Sequence, residues 1–257
     1  MRTIAAGCLT TALFASLALG QTAANPGLDR VFHLAQTDTP QNVQEITNVV
    51  RAMAETPAAV NQATKTLSVH GTSAQIALAE WLVSELDQPA AAGPAPATHP
   101  YTNGRGQDEV VRVFSLAYAQ TPVELQELTN LLRSMSDMQR VFPYNSLKLL
   151  VARGSADQIA LADWLVQQLD RPLVTPTPDT GTREIQMTPT IVKTVRVFYL
   201  SHNQSPQDIQ GIIDQLRTTG TQRIYHYNGQ KAVAVAGTAE QVTAAENLVR
   251  QLDQGRP

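Results

Sequence analysis

The chain has 257 residues, 19 Lys and Arg against 22 Asp and Glu, and one cysteine. That acidic balance supplies no basic field to attract nucleic acid or anionic lipid. With Cys8 in the expected leader, the mature chain is left without a disulfide, a thiol nucleophile or a thiolate metal site.

The first twenty residues read as a secretory signal peptide. Arg2 gives a positive start, Ile4 to Leu19 is apolar or small, and Ala18-Leu19-Gly20 is a small-x-small cleavage site. The apolar run is too short for a membrane anchor. Ala5-Ala6-Gly7-Cys8 has the outline of a lipid-attachment box but lacks an apolar region before it. Loss of Arg2 with the leader leaves 18 basic residues against 22 acidic, a net of −4. The leader predicts export from the cytoplasm, and no later segment is expected to span a membrane as a helix.

Beyond the leader, one pattern occurs three times. Arg30-Val31-Phe32-His33-Leu34 recurs as Arg112-Val113-Phe114-Ser115-Leu116 and as Arg196-Val197-Phe198-Tyr199-Leu200. Each copy then carries a proline (Pro40, Pro122, Pro206), a second arginine (Arg51, Arg133, Arg217), a glycine (Gly71, Gly154, Gly237) and a closing Leu-Asp at 86–87, 169–170 or 252–253. Such periodicity fixes the architecture before other signals do. Repeats are expected at 28–89, 110–172 and 194–254. A Pro/Ala-rich linker at 90–109 and a Pro/Thr-rich linker at 173–193 read as extended spacers.

Within a copy the expected order is strand, helix, strand, strand, helix. Val111 to Ala117 alternates and is rich in Val and Phe, which predicts a strand. Thr121, Pro122 and Glu124 supply an N-cap, a proline at the first helical position and a capping box. Val141 to Tyr144 and Leu147 to Ala152 predict a hairpin across Asn145-Ser146. The third copy has Asn228-Gly229 there, a strong two-residue hairpin signal. Thr72, Ser155 and Thr238, each with Gln three residues later, open the last helix. The fold class is α+β: three tandem βαββα domains, each a three-stranded sheet with two helices on one face. Phe32, Leu34 and their equivalents point at the helices.

These residues resemble the periplasmic N-terminal domains of secretins, a ring-building, KH-like group. In the second copy the likeness reads Tyr144-Asn145-Ser146-Leu147, then Val151-Ala152-Arg153-Gly154, then Leu169-Asp170-Arg171-Pro172. The resemblance implies domains that pack side by side in rings of outer-membrane secretion or pilus machines and bind other machine components. Secretins continue into a membrane-embedded β-rich domain, whereas this chain stops at Pro257, so it is not expected to form a pore by itself.

The expected contact residues are Trp81, Trp164, Leu149, Val151 and Val113. On the last helix of the first two copies each Trp falls beyond the edge of the apolar face, where the third copy has Asn247. It reads either as an anchor for a partner or as a ring folded over the rim of its own unit or a linker. If Leu150 and Ala152 face the helices, Leu149, Val151 and Val113 face away. That apolar open face needs a cover: the next unit, a linker or another chain. The first copy has polar Ser68 and His70 there.

Arg51, Arg133 and Arg217 read as cations complementing a helix dipole. Arg30, Arg112 and Arg196 read as solvated strand ends or as partners of an acidic group on a neighbouring unit, and Glu80, Asp163 and Glu246 as solvated helix residues. His33, His70, His99, His202 and His226 lack metal spacing, and no phosphate loop, nucleophile elbow or nucleic-acid clamp stands out. No catalysis, cofactor, metal or nucleic acid is expected. The functional expectation is a non-enzymatic periplasmic assembly protein that associates with itself or with an outer-membrane secretin complex. The alternative is a secreted multivalent adaptor that binds a peptide or cell-wall ligand as a monomer.

Overall fold

The computed structural model describes residues 27–37, 39–89, 96–172, 181–188, 191–202, 205–221 and 223–254. The expected leader lies outside the described residues. Unit 1 consists of β1 (Leu28–His33), α1 (Pro40–Ala54), β2 (Ala58–Asn61), β3 (Thr66–Gly71) and α2 (Ser73–Leu86). Unit 2 consists of β4 (Ala97–Thr102), β5 (Asp108–Ser115), α3 (Pro122–Ser136), β6 (Arg140–Tyr144), β7 (Leu149–Gly154) and α4 (Ala156–Leu169). Unit 3 consists of β8 (Thr182–Thr188), β9 (Ile191–Tyr199), α5 (Pro206–Thr218), β10 (Arg223–Tyr227), β11 (Ala232–Gly237) and α6 (Ala239–Leu252).

The expected helix starts are present with their chemistry. Thr121 accepts from the Glu124 amide while Glu124 reaches back to the Thr121 amide at 2.9 Å. Thr72, Ser155 and Thr238 form the same reciprocal box with Gln75, Gln158 and Gln241. Burial pushes the Glu124 carboxyl up, but hydrogen bonds from Thr121 and Gln120 outweigh it and leave the carboxyl below its ordinary range.

Three-stranded sheets throughout are not what forms. Among the described residues the sheets have three, four and four strands, all antiparallel, in the orders β1-β3-β2, β4-β5-β7-β6 and β10-β11-β9-β8. The additional strands, β4 and β8, lie in the segments expected as spacers. Each folds back as a hairpin onto the strand that follows it. Pro100 is tolerated in β4 because that strand pairs on one side only.

The hairpin turns also differ from expectation. After β6 and β10 the chain makes a short 3-10 turn at Asn145–Leu147 or Asn228–Gln230, closed by Lys148 or Lys231 in the left-handed region. A Cβ at Gly229 would lie 2.7 Å from the Tyr227 ring, whereas unit 2 carries Ser146 at the same place beside Tyr144.

Each unit packs its two helices on one sheet face. Phe32 and Leu34, Phe114 and Leu116, and Phe198 and Leu200 are buried in their own units' cores. The recurrent Leu-Asp has a mechanical role: its carboxylate fastens the loop after the first strand. Asp87 accepts from the amides of Ala35 at 2.6 Å and Gln36 at 2.9 Å. Asp170 accepts from Ala117, Tyr118 and Ala119 at 2.6–2.9 Å, and Asp253 from Ser201 and His202.

Candidate interaction surfaces

The far face of each later sheet lies on the helices of the unit before it. Leu149, Val151 and Val113 are fully buried there and belong to the cluster that holds unit 1's core. Their strand neighbours Leu150 and Ala152 point the other way, into unit 2's own core. Unit 3 repeats the arrangement, with Val195, Val197, Ala232, Ala234 and Ala236 completing unit 2's cluster. The strands from the spacer segments extend both seams: Tyr101 of β4 enters the first cluster and Ile185 of β8 the second. Burial of each valine, leucine or isoleucine contributes about 1.5–3 kcal/mol and of each alanine methyl about 0.8 kcal/mol, so the seams are energetically part of the cores.

Two polar contacts recur at both seams. Glu45, in the second turn of α1, accepts from the Asn145 amide at 3.0 Å and from its side chain at 3.2 Å. Glu127, at the same place in α3, accepts from the Asn228 amide at 3.0 Å and its side chain at 2.6 Å. The second contact lies at the helix C-termini. Glu55 and Asp137 adopt left-handed backbone, φ 52° and 57°, a conformation costing a non-glycine residue about 1–2 kcal/mol. From there Glu55 pairs with Arg140 and Arg153 of unit 2, and Asp137 with Lys193 and Arg223 of unit 3.

The cation opposite the carboxylate changes strands between seams. Arg153 on β7 has a side chain 1% exposed; it donates to Glu55 at 3.0 Å, to Glu109 at 2.5 Å and to the Met53 carbonyl, over the Tyr101 ring. Unit 3 has Ala236 in place of Arg153 and Lys193 in place of Glu109. Lys193 therefore reaches Asp137 directly from β9 and also donates to the Met135 carbonyl at 3.0 Å. Burial lowers the Lys193 pKa, with the hydrogen bond to Asp137 working against that shift.

Tyr144 and Tyr227, which end β6 and β10, are buried at the seams. Burial raises both phenol pKa values, helped by nearby carboxylates: Glu45 and Asp87 for Tyr144, and Glu124, Asp170 and Glu127 for Tyr227.

Trp81 and Trp164 are half-buried and pack on the first and second clusters. The Trp81 ring lies 5.1 Å from the His99 ring of β4, and α4, which carries Trp164, contacts β8. Asn247 of α6 is exposed.

Two residue sets read as solvated are partners. Arg112 donates to both Asp163 oxygens at 2.9 and 3.1 Å, Arg196 meets Glu246 at 2.8 Å, and Arg30 meets Glu80 more loosely at 3.5 Å. Each pair ties the first strand to the last helix of one unit. Their lockstep recurrence was the available signal. Arg51 and Arg133, expected to serve the helix dipole, donate to the strand carbonyls of Ala58 and Val141, while Arg217 meets Asp214 at 2.9 Å. Among the described residues no group of three or more His, Cys, Asp or Glu could hold a metal ion, and no helix is long and apolar enough to cross a membrane.

With the seams closed, the large apolar side chains still exposed among the described residues are Tyr118 (50%) in the loop after β5, Val123 (67%) in the first turn of α3, Val31 (53%) on the outer sheet face of unit 1, Leu28 and Val192.

No family model and no curated protein matches the chain. Solved structures do. The N-terminal domain of the secretin XcpQ from Pseudomonas aeruginosa is 13% identical with a TM-score of 0.29, over 88% of this chain and 100% of that one. Aeromonas hydrophila ExeD is 17% identical with a TM-score of 0.22, over 90% of this chain and 42% of that one. The type II secretion system secretin GspD of E. coli K12 is 11% identical with a TM-score of 0.22, over 90% and 40%. The chain spans about two fifths of the length of ExeD and GspD, and its likeness to the XcpQ N-terminal domain covers 88% of it.

Proposed function

We propose that this chain is a non-enzymatic periplasmic assembly protein, a component or accessory of an outer-membrane secretion or pilus system. Its three repeats act as one stiff stack that offers its flanks to neighbours. The observation that carries the reading is that each later sheet is spent on the preceding unit. Leu149, Val151 and Val113, and beside them Trp81 and Trp164, serve as interface residues between units of one chain. Tyr118 and Val123, beside α3 of unit 2, are among the large apolar side chains left open to other molecules. Units locked in this way do not behave as beads on a string, which disfavours the tethered-adaptor alternative.

The test is the absolute mass of the leaderless chain by light scattering, from micromolar to high concentration. A discrete oligomer that a Tyr118→Ser/Val123→Ser variant reduces to monomer supports lateral assembly. A strict monomer at every concentration overturns self-assembly, and an oligomer indifferent to that variant overturns the flank.

A further inference from the structure

The parts that make the two seams are missing from the two ends of the stack. The helix side of a seam consists of the second-turn glutamate and the left-handed carboxylate that ends the first helix. The sheet side consists of a Tyr-Asn pair at the hairpin and an arginine opening the strand before it. Unit 2 has both sides: Glu127 and Asp137, and Tyr144, Asn145 and Arg140.

Unit 1 has only the helix side. Asn61-Gln62 stand where unit 2 has Tyr144-Asn145, and Pro57 stands where it has Arg140, by strand register against β3 and β7. Its outer sheet face presents Asp29, Ser68 and His70 to solvent. Val31 is 53% exposed, against none for Val113 and 2% for Val197 at the same position.

Unit 3 has only the sheet side. Gly211 occupies the place of Glu45 and Glu127, five residues after the helix-opening proline in each copy. Its first helix runs through Thr219 into Gly220 at φ 79°. Glycine takes the left-handed turn without strain, so a carboxylate in that strained conformation occurs only where a following unit meets it. The outward helix face of unit 3 is polar to match, with exposed Gln215 and Asn247 where unit 2 has buried Leu131 and half-buried Trp164.

We propose that the stack is capped at both ends. Sheet-on-helix docking runs twice and stops, both outer surfaces refuse a further unit of this kind, and copies of this chain do not join end to end. Capping of this kind rests on the seams within one chain and does not depend on the proposed function.

The test restores each missing half in a separate full-length chain. A sheet-side variant carries Pro57→Arg, Asn61→Tyr, Gln62→Asn and Ser68→Val. A helix-side variant carries Gly211→Glu, Gln215→Leu, Gly220→Asp and Asn247→Trp. Gly211 has open space for the new side chain, and a Cβ at Gly220 makes only an ordinary 3.7 Å contact with Gln241. Each variant alone is expected to keep the wild-type mass by light scattering. An equimolar mixture is expected to yield a species of twice that mass. Melting curves establish that each variant is folded. Folded variants that stay separate on mixing overturn the proposal, as do wild-type rods joined end to end in electron micrographs.

Discussion

The carboxylate of Glu45 holds the Asn145 backbone and side chain across 100 residues of sequence, at 3.0 and 3.2 Å. Both bonds are charge-assisted, and the hairpin they hold brings Tyr144 to the first seam. Hydrogen bonds to a charged group contribute about 1.5–3 kcal/mol, so Glu45→Ala should destabilise the chain by roughly that amount in urea melts. Asn145→Ala on that background should add little, and full additivity of the two losses would show that they do not act together.

Arg153 and Lys193 offer a sharper test, because the two seams solve one problem with different strands. Arg153→Ala leaves Glu55 and Glu109 without their buried partner, an expected loss of about 3–5 kcal/mol. Adding Glu109→Lys recreates the arrangement of unit 3 and should recover most of it. Chemical denaturation of the wild type, both single variants and the double variant measures the recovery; a double variant no better than the worse single would refute the equivalence.

Left-handed backbone separates strain from contact. Lys231→Gly keeps the turn and relieves φ 50°, with an expected gain of about 0.5–1 kcal/mol. Asp137→Gly relieves similar strain but strips Lys193 and Arg223 of their carboxylate. Its expected net effect is a loss of about 2 kcal/mol or more. Thermal melts that move in the same direction for both variants would mean that the seam contact contributes nothing.

Tyr144 and Tyr227 predict alkaline sensitivity. Their folded pKa values lie above the ordinary 10.0, so above pH 10 the unfolded chain loses phenol protons that the folded chain keeps. Stability from this source is complete below pH 10 and falls as pH climbs through the raised values. Lys193, lowered from 10.5 by burial, acts with the opposite sign at pH values below about 10.5. The clean readout is therefore the difference between wild type and Tyr227→Phe, whose stability should fall less steeply from pH 10 to 11. Parallel slopes would contradict the assignment.

Much of the fold was legible in the sequence because local rules and tertiary demands agree. The capping boxes at Thr72, Thr121, Ser155 and Thr238 form as their spacing implies, and strand parity placed Leu149 and Val151 on the far face. β4 was not legible: Ala97–Thr102 contains Pro100 and only weak alternation, and its apolar residues find their cover on another unit. The Arg112–Asp163 and Arg196–Glu246 pairs span about 50 residues, beyond the reach of helical or strand periodicity. Asn228-Gly229 signalled the hairpin that joins β10 to β11, although the turn itself is a short 3-10 turn closed by Lys231.

β7 is buried along its whole length, all six residues from Leu149 to Gly154. One side of it completes unit 2 and the other completes unit 1. Neither side of β7 faces water, so the strand at the centre of the middle sheet needs both units. Calorimetry should accordingly find one two-state transition for the whole chain, with matching van't Hoff and calorimetric enthalpies, where three independent domains would melt in sequence.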